Sequence, residues 1–187
     1  DPSQVVFRFS GVRPWAHTQA KNAGQITRNH HLQEDKLGVL PVYSLVGGKW
    51  TSYRAFSEQV TDRALVFLGR NRKAETTRLP IGGGKDFPSG ADETRKFLDA
   101  LEGSTGLPRK QVEVLFRRYG TRAVEVGAFM SAGKDSPIAA WPNFSYREIL
   151  YLVQKEKIMH LDDLLLRRTL LAYLGELSLP MIEEMAT

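Results

Sequence analysis

Residues 39–60 read VLPVYSLVGGKWTSYRAFSEQV, and two periodicities meet inside them. Residues 39–46 are nearly all apolar and rich in β-branched and aromatic side chains, a composition that predicts a strand buried on both faces. Beyond Gly47-Gly48 the apolar residues recur as Trp50, Tyr53, Phe56, Val60 and Ala64, at three- and four-residue steps. That spacing predicts a helix running to about residue 68. A strand therefore enters a helix through two glycines. Glycines let another group approach the backbone closely, and the unpaired N–H groups of a first helical turn suit an anion or an electron-rich carbonyl. From spacing alone, a tight turn with glycines chosen for backbone freedom is the simpler account. A nucleotide P-loop is excluded, because Tyr43 stands where it needs glycine and Trp50 where it needs Ser or Thr.

Toward the N-terminus, residues 4–12 (QVVFRFSGV) and 26–33 (ITRNHHLQ) also read as strands, punctuated by Gly and Pro. Arg13 precedes Pro14, which stiffens the backbone on which the arginine is mounted. Such a guanidinium can aim at a phosphate. On a strand Arg28 shares a face with His30 while His31 points the other way, so Arg28 offers a second bidentate fork for phosphate oxygens. Taken singly, each arginine is more simply read as a surface residue or the partner of a carboxylate. Adjacent His30 and His31 cannot both face one metal from a regular strand, and His17 and His160 are isolated; no metal site is read.

Toward the C-terminus, residues 69–90 (GRNRKAETTRLPIGGGKDFPSG) carry the Pro, Gly and charge content of a linker or irregular loop. Beyond residue 91 the pattern is almost wholly helical, with helices predicted over 92–101, 108–119, 121–130, 145–156 and 161–174, and a short last one over 178–186. Pro108 suits a helix start; Gly103, Gly106, Gly120, Gly133 and Gly175 suit helix ends. The expected fold class is α+β: a short β-rich segment followed by a mainly α-helical domain. The expected division is residues 1–70, a linker over 71–90, and a helical domain over 91–187.

Composition narrows the chemistry. The 187 residues contain no cysteine, which excludes disulfides, thiolate metal sites and cysteine nucleophiles. No apolar run approaches the roughly 20 residues of a membrane-spanning helix, and DPSQVVFRF lacks the build of a signal peptide, so a soluble intracellular protein is expected. A net charge of +5 suits a phosphate-bearing partner or an anionic membrane surface. Gly82-Gly83-Gly84-Lys85 lacks the rest of a phosphate loop and reads as a plain loop. Asp163 and Arg167 form an i, i+4 pair near a helix start. The pairs Arg117-Arg118 and Arg167-Arg168 read as solvated helix faces, too little clustered for a nucleic-acid stripe.

Taken in order, GVRP (11–14), TRNHH (27–31), LPVYSLVGGKWTSYR (40–54), LPIGGG (79–84) and DDLLLRRT (162–169) resemble the C-terminal portion of FAD-dependent glycerol-3-phosphate dehydrogenases and α-glycerophosphate oxidases. The resemblance covers almost the whole chain, and GGKWTSYR is its most specific piece. It implies the last strands and helix of a D-amino-acid-oxidase-like FAD domain, followed by a helical cap. It also implies oxidation of glycerol 3-phosphate to dihydroxyacetone phosphate by hydride transfer from C2 to FAD, with electrons passing to quinone or oxygen.

By position, Arg13, Arg28 and Lys49 would bind the substrate phosphate, and Gly47, Gly48, Lys49 and Thr51 would present a helix N-terminus to the flavin. The catalytic base is expected upstream of these residues. A bacterial, cytoplasmic enzyme resting peripherally on the inner membrane is implied, with no nucleic-acid partner and with severed sheet edges favouring a homodimer or aggregation. No G-x-G-x-x-G follows a strand in these residues, so the chain by itself is expected not to bind FAD and to be inactive. Two competing readings are a basic helical module that docks on an acidic partner, nucleic acid or membrane, and a D-amino-acid-oxidase relative acting on another substrate.

Overall fold

The computed structural model describes residues 1–11, 22 and 29–186. The chain divides into two compact units, Ser10–Leu79 and a second made of Asp1–Phe9 with Pro80–Thr187. The architecture is mainly helical α+β with two small antiparallel hairpins. No helix among the described residues is long and apolar enough to cross a membrane.

In the first unit, β1 (His31–Leu37) pairs antiparallel with β2 (Leu40–Val46), with Leu32 opposite Leu45 and Glu34 opposite Tyr43. Of the strand expected over 26–33, residues 31–33 lie in β1, residues 29 and 30 precede it, and residues 26–28 lie outside those described. β2 falls where its composition placed it, but Leu40, Val42 and Leu45 are exposed. The expectation of burial on both faces fails because the described sheet has only two strands and α1 (Tyr53–Phe67) is the helix that meets β2. The Tyr43 hydroxyl donates to the Arg63 carbonyl of α1 at 3.2 Å.

Beyond α1 the chain has no regular structure, yet it is strapped down. The Arg54 guanidinium donates to the carbonyls of Thr76 and Leu79. Glu58 accepts from both the amide and the hydroxyl of Thr76, and Arg72 bridges Glu58 and Asp62.

The second unit is built from α2 (Ala91–Thr105), α3 (Arg109–Tyr119), α4 (Ala123–Ser131) and α5 (Tyr146–Lys155). Their inward residues, among them Leu101, Val112, Leu115, Val126, Met130 and Tyr151, form one core. Gly103, expected to end a helix, lies inside α2, and Gly106 ends it instead. A hairpin that the helical reading missed, β3 (Pro137–Ile138) and β4 (Trp141–Ser145), separates α4 from α5. Two prolines in residues 137–142 forbid a continuous helix there. Glu184 secures the turn by accepting from the amides of Ala139 and Ala140 at 2.7 and 2.9 Å.

The single helix expected over 161–174 is broken into a turn α6 (Leu161–Asp163), a π-helical segment (Leu164–Arg168) and α7 (Leu171–Leu174). Thr169 makes the break: its backbone is extended, its hydroxyl donates to the Leu165 carbonyl, and its oxygen accepts from the Leu171 amide. Helix α8 (Leu179–Met185) closes the chain. Residues 5–10 form no strand. Phe7 and Phe9 instead meet Tyr173 edge-on, with ring centroids 5.3 and 5.6 Å apart.

Candidate functional site

The turn between β2 and α1 is where local sequence and local geometry agree most closely. Gly47 and Gly48 have φ of +73° and +94°, conformations that L side chains rarely adopt. A Cβ on Gly47 would also stand 3.0 Å from the Asn29 carbonyl oxygen, and one on Gly48 would meet His30 Cβ at 3.5 Å. The end of the TRNHH motif is therefore brought against the GGKW turn, a contact that sequence spacing did not announce. His30 stacks on Phe56 at 4.4 Å, and its Nε2 lies 3.0 Å from Gln59 Oε1. Phe56 is the buried residue of α1. A stacked, hydrogen-bonded ring supports the turn.

After the glycines a single 3₁₀ turn, Trp50–Ser52, opens α1. The Lys49 amide donates to Ser52 Oγ, the Ser52 hydroxyl donates back to the Lys49 carbonyl, and the Ser52 amide donates to the same carbonyl at 3.0 Å. The amides of Trp50 and Thr51 have no acceptor among the described residues, as expected of first-turn donors. Lys49 and Thr51 are exposed, and the Trp50 indole is 93% exposed. The site thus combines two N–H donors without an acceptor among the described residues, the positive end of a 15-residue helix and a lysine beside a large exposed ring.

That combination fits a flavin. The amides of Trp50 and Thr51 match its carbonyl-rich edge, while the Cβ sides of the two glycines are taken up by Asn29 and His30. Arg13 and Arg28 lie outside the described residues, so the structure tests their convergence with Lys49 neither way.

The sequence reading missed several polar residues. Arg54, inside the GGKWTSYR motif, serves as a strap through its carbonyl contacts. In the second unit Arg118 is not on a solvated face. It donates to both oxygens of Glu148 at 2.8 and 3.0 Å and lies 3.3 Å over the Phe144 ring. Glu148 is 1% exposed and also accepts from the Tyr119 hydroxyl at 2.7 Å. Burial pushes the Glu148 pKa up, with the Arg118 charge pulling against it, and burial together with Glu148 drives the Tyr119 phenol well above its ordinary range. An Arg-Tyr spacing on one helix and a lone Glu on another carry no signal that they meet. Gly83, read as part of a plain loop, packs backbone to backbone against Tyr119 and Gly120.

The fold and the turn together describe a mainly helical α+β protein in which a strand enters a helix through two glycines. Residues 74–187 match the model of the C-terminal domain of α-glycerophosphate oxidase, and the chain belongs to that family. It is 33% identical over 174 residues to a glycerol-3-phosphate dehydrogenase of Synechocystis sp., covering 90% of this chain and 30% of that protein. It is 32% identical over 172 residues to glycerol-3-phosphate dehydrogenase 1 of Mycobacterium tuberculosis, covering 88% and 30%. With the mitochondrial glycerol-3-phosphate dehydrogenase of Mus musculus it shares 32% identity over 194 residues, covering 97% and 25%. The chain therefore spans less than a third of the length of these relatives, and their range of organisms does not single out bacteria.

Proposed function

We propose that this chain is the C-terminal portion of a flavin-dependent glycerol-3-phosphate dehydrogenase that converts glycerol 3-phosphate to dihydroxyacetone phosphate and delivers electrons to quinone. The observation that carries this reading is the family match, and the Trp50 and Thr51 amides at the GGKWT helix start, without an acceptor among the described residues, support it. When bound, FAD supplies the hydride acceptor. The chain's own residues would bind and orient. The Trp50 and Thr51 amides and the Lys49 ammonium would sit against electron-rich oxygens, while Arg13 and Arg28 would grip the substrate phosphate bidentately. Residues 1–70 would then complete the flavin domain, and residues 91–187 would form its cap. The +5 charge supports a peripheral seat on an anionic inner-membrane surface.

The test is an assay of the full-length gene product with glycerol 3-phosphate and an artificial electron acceptor. Turnover is expected, and Arg13→Ala and Arg28→Ala are each expected to raise KM for glycerol 3-phosphate by about tenfold or more, the worth of a charge-assisted hydrogen bond. Flavin-loaded enzyme inert toward glycerol 3-phosphate but active on an unphosphorylated amine would establish the D-amino-acid-oxidase-like alternative instead.

A further inference from the structure

The two arginine pairs that sequence spacing assigns to separate solvated faces meet across one cleft. Arg117 and Arg118 at the end of α3 and Arg167 and Arg168 at the end of the π-helical segment line a depression of about 490 Å³, whose wall includes Trp141 and Phe144. We propose that this cleft, lined wholly by residues of the second unit, binds the phosphate group of a small phosphate monoester.

Three observations point to a phosphate. The guanidiniums are pre-aimed: Arg118 is held by Glu148, by the Asn143 carbonyl at 2.9 Å and by the Phe144 ring, and Arg167 by Asp163 and Asp162 at 2.6 and 3.2 Å. Both spend Nη1 on these bonds, which leaves Nε–H and Nη2–H₂ for a ligand. Arg168 is tied to the Glu156 carbonyl at 3.0 Å. Arg117 makes no hydrogen bond or ion pair among the described residues, and the four guanidiniums share the cleft lining with one carboxylate, Glu176.

The number of donors decides between anions. Four guanidiniums offer more N–H groups than the two oxygens of a carboxylate accept, whereas a phosphate monoester has three terminal oxygens and roughly −1.5 to −2 charge. The backbone that carries Arg167 and Arg168 is π-helical, a departure from α geometry that clusters at functional sites. Trp141 and Phe144, stacked at 3.7 Å, and the exposed side chains of Leu170 and Leu174 give the cleft an apolar side suited to the organic part of an ester. A polymer is disfavoured, because the cations gather at one point and do not track along a surface.

Phenyl phosphate and inorganic phosphate titrated into the ¹⁵N-labelled full chain test this at constant ionic strength. Saturable shifts of the Trp141 indole N–H and of the Arg117, Arg118 and Arg168 Nε–H signals are expected, with phenyl phosphate binding more tightly than inorganic phosphate. Arg117→Ala breaks no contact in the fold and is expected to weaken binding about tenfold or more. Arg95→Ala, which removes an equal charge from the exposed Asp92 pair, is expected to leave it unchanged. The proposal is overturned if neither phosphate shifts these signals, if the two variants weaken binding equally, or if only phosphatidic-acid vesicles and no soluble ester bind. The outcome is independent of glycerol-3-phosphate turnover.

Discussion

Glu148 is a costly residue to disturb, because it is a buried charge with bonded partners. A carboxylate with 1% exposure survives in the core because Arg118 and Tyr119 bond both of its oxygens and Ser145 Oγ accepts from its amide. Removing one member of a buried pair strands the other. Glu148→Ala is therefore expected to lower unfolding free energy by about 3–5 kcal/mol, read from urea denaturation. Replacing Glu148 and Arg118 together by apolar residues should cost much less.

Half-buried carboxylates set the pH response. Backbone amides lower the pKa of Glu184 (Ala140 foremost) and of Asp163 (Met159 foremost), and the Thr76 hydroxyl lowers that of Glu58. A carboxyl with a depressed folded pKa stabilises above its unfolded value and loses that contribution as pH falls through the folded one. Stability should therefore fall from ordinary carboxylate pKa values near 4 downward, and Glu184→Gln should flatten part of that fall in denaturation series run from pH 7 to pH 3. Glu148 has the opposite sign. Its raised pKa favours the folded state at low pH and partly offsets the loss.

Two glycines in the second unit make opposite demands on their elements. Gly83 sits in a 3₁₀ turn pressed against the end of α3, where an added Cβ would fall 1.8 Å from the Tyr119 carbonyl oxygen, a backbone atom that cannot step aside. Gly103 lies inside α2 with open space around it. Gly83→Ala should destabilise by about 2–3 kcal/mol or more, as an overpacked core does, and Gly103→Ala should stabilise by about 0.5–1 kcal/mol through lost chain entropy. Thermal and urea unfolding of the two variants side by side would check both signs. The LPIGGG segment thus acts as a latch: the Thr121 hydroxyl reaches the Gly83 and Lys85 carbonyls at 3.0 and 2.7 Å, and Phe87 stacks on Phe116. Similar logic explains the break near residue 169, where a side-chain hydroxyl replaces the backbone ladder and turns Arg167 and Arg168 toward α3.

Each compact unit carries its own buried residues, yet only the first holds the diglycine turn. The 187 residues contain no glycine-rich dinucleotide turn after a strand, so the purified chain is expected to be colourless. Flavin absorbance that survives gel filtration would contradict this.

Strand β2, the diglycine entry, helix α1 and helices α2 to α5 were legible from composition and spacing, because each is a short-range pattern that one element expresses alone. The family was legible for the same reason: its motifs are contiguous and ordered. The β3–β4 hairpin, the split of the 161–174 segment, the exposure of β2 and the meeting of four arginines were not. Those depend on which distant groups share a neighbourhood, and a residue's neighbours across space leave no mark in the period of its own element. Glu148 looks like any helical glutamate until α3 brings Arg118 and Tyr119 to it; burial then makes that pairing obligatory, since a lone carboxylate in the core would cost more than the helix gains.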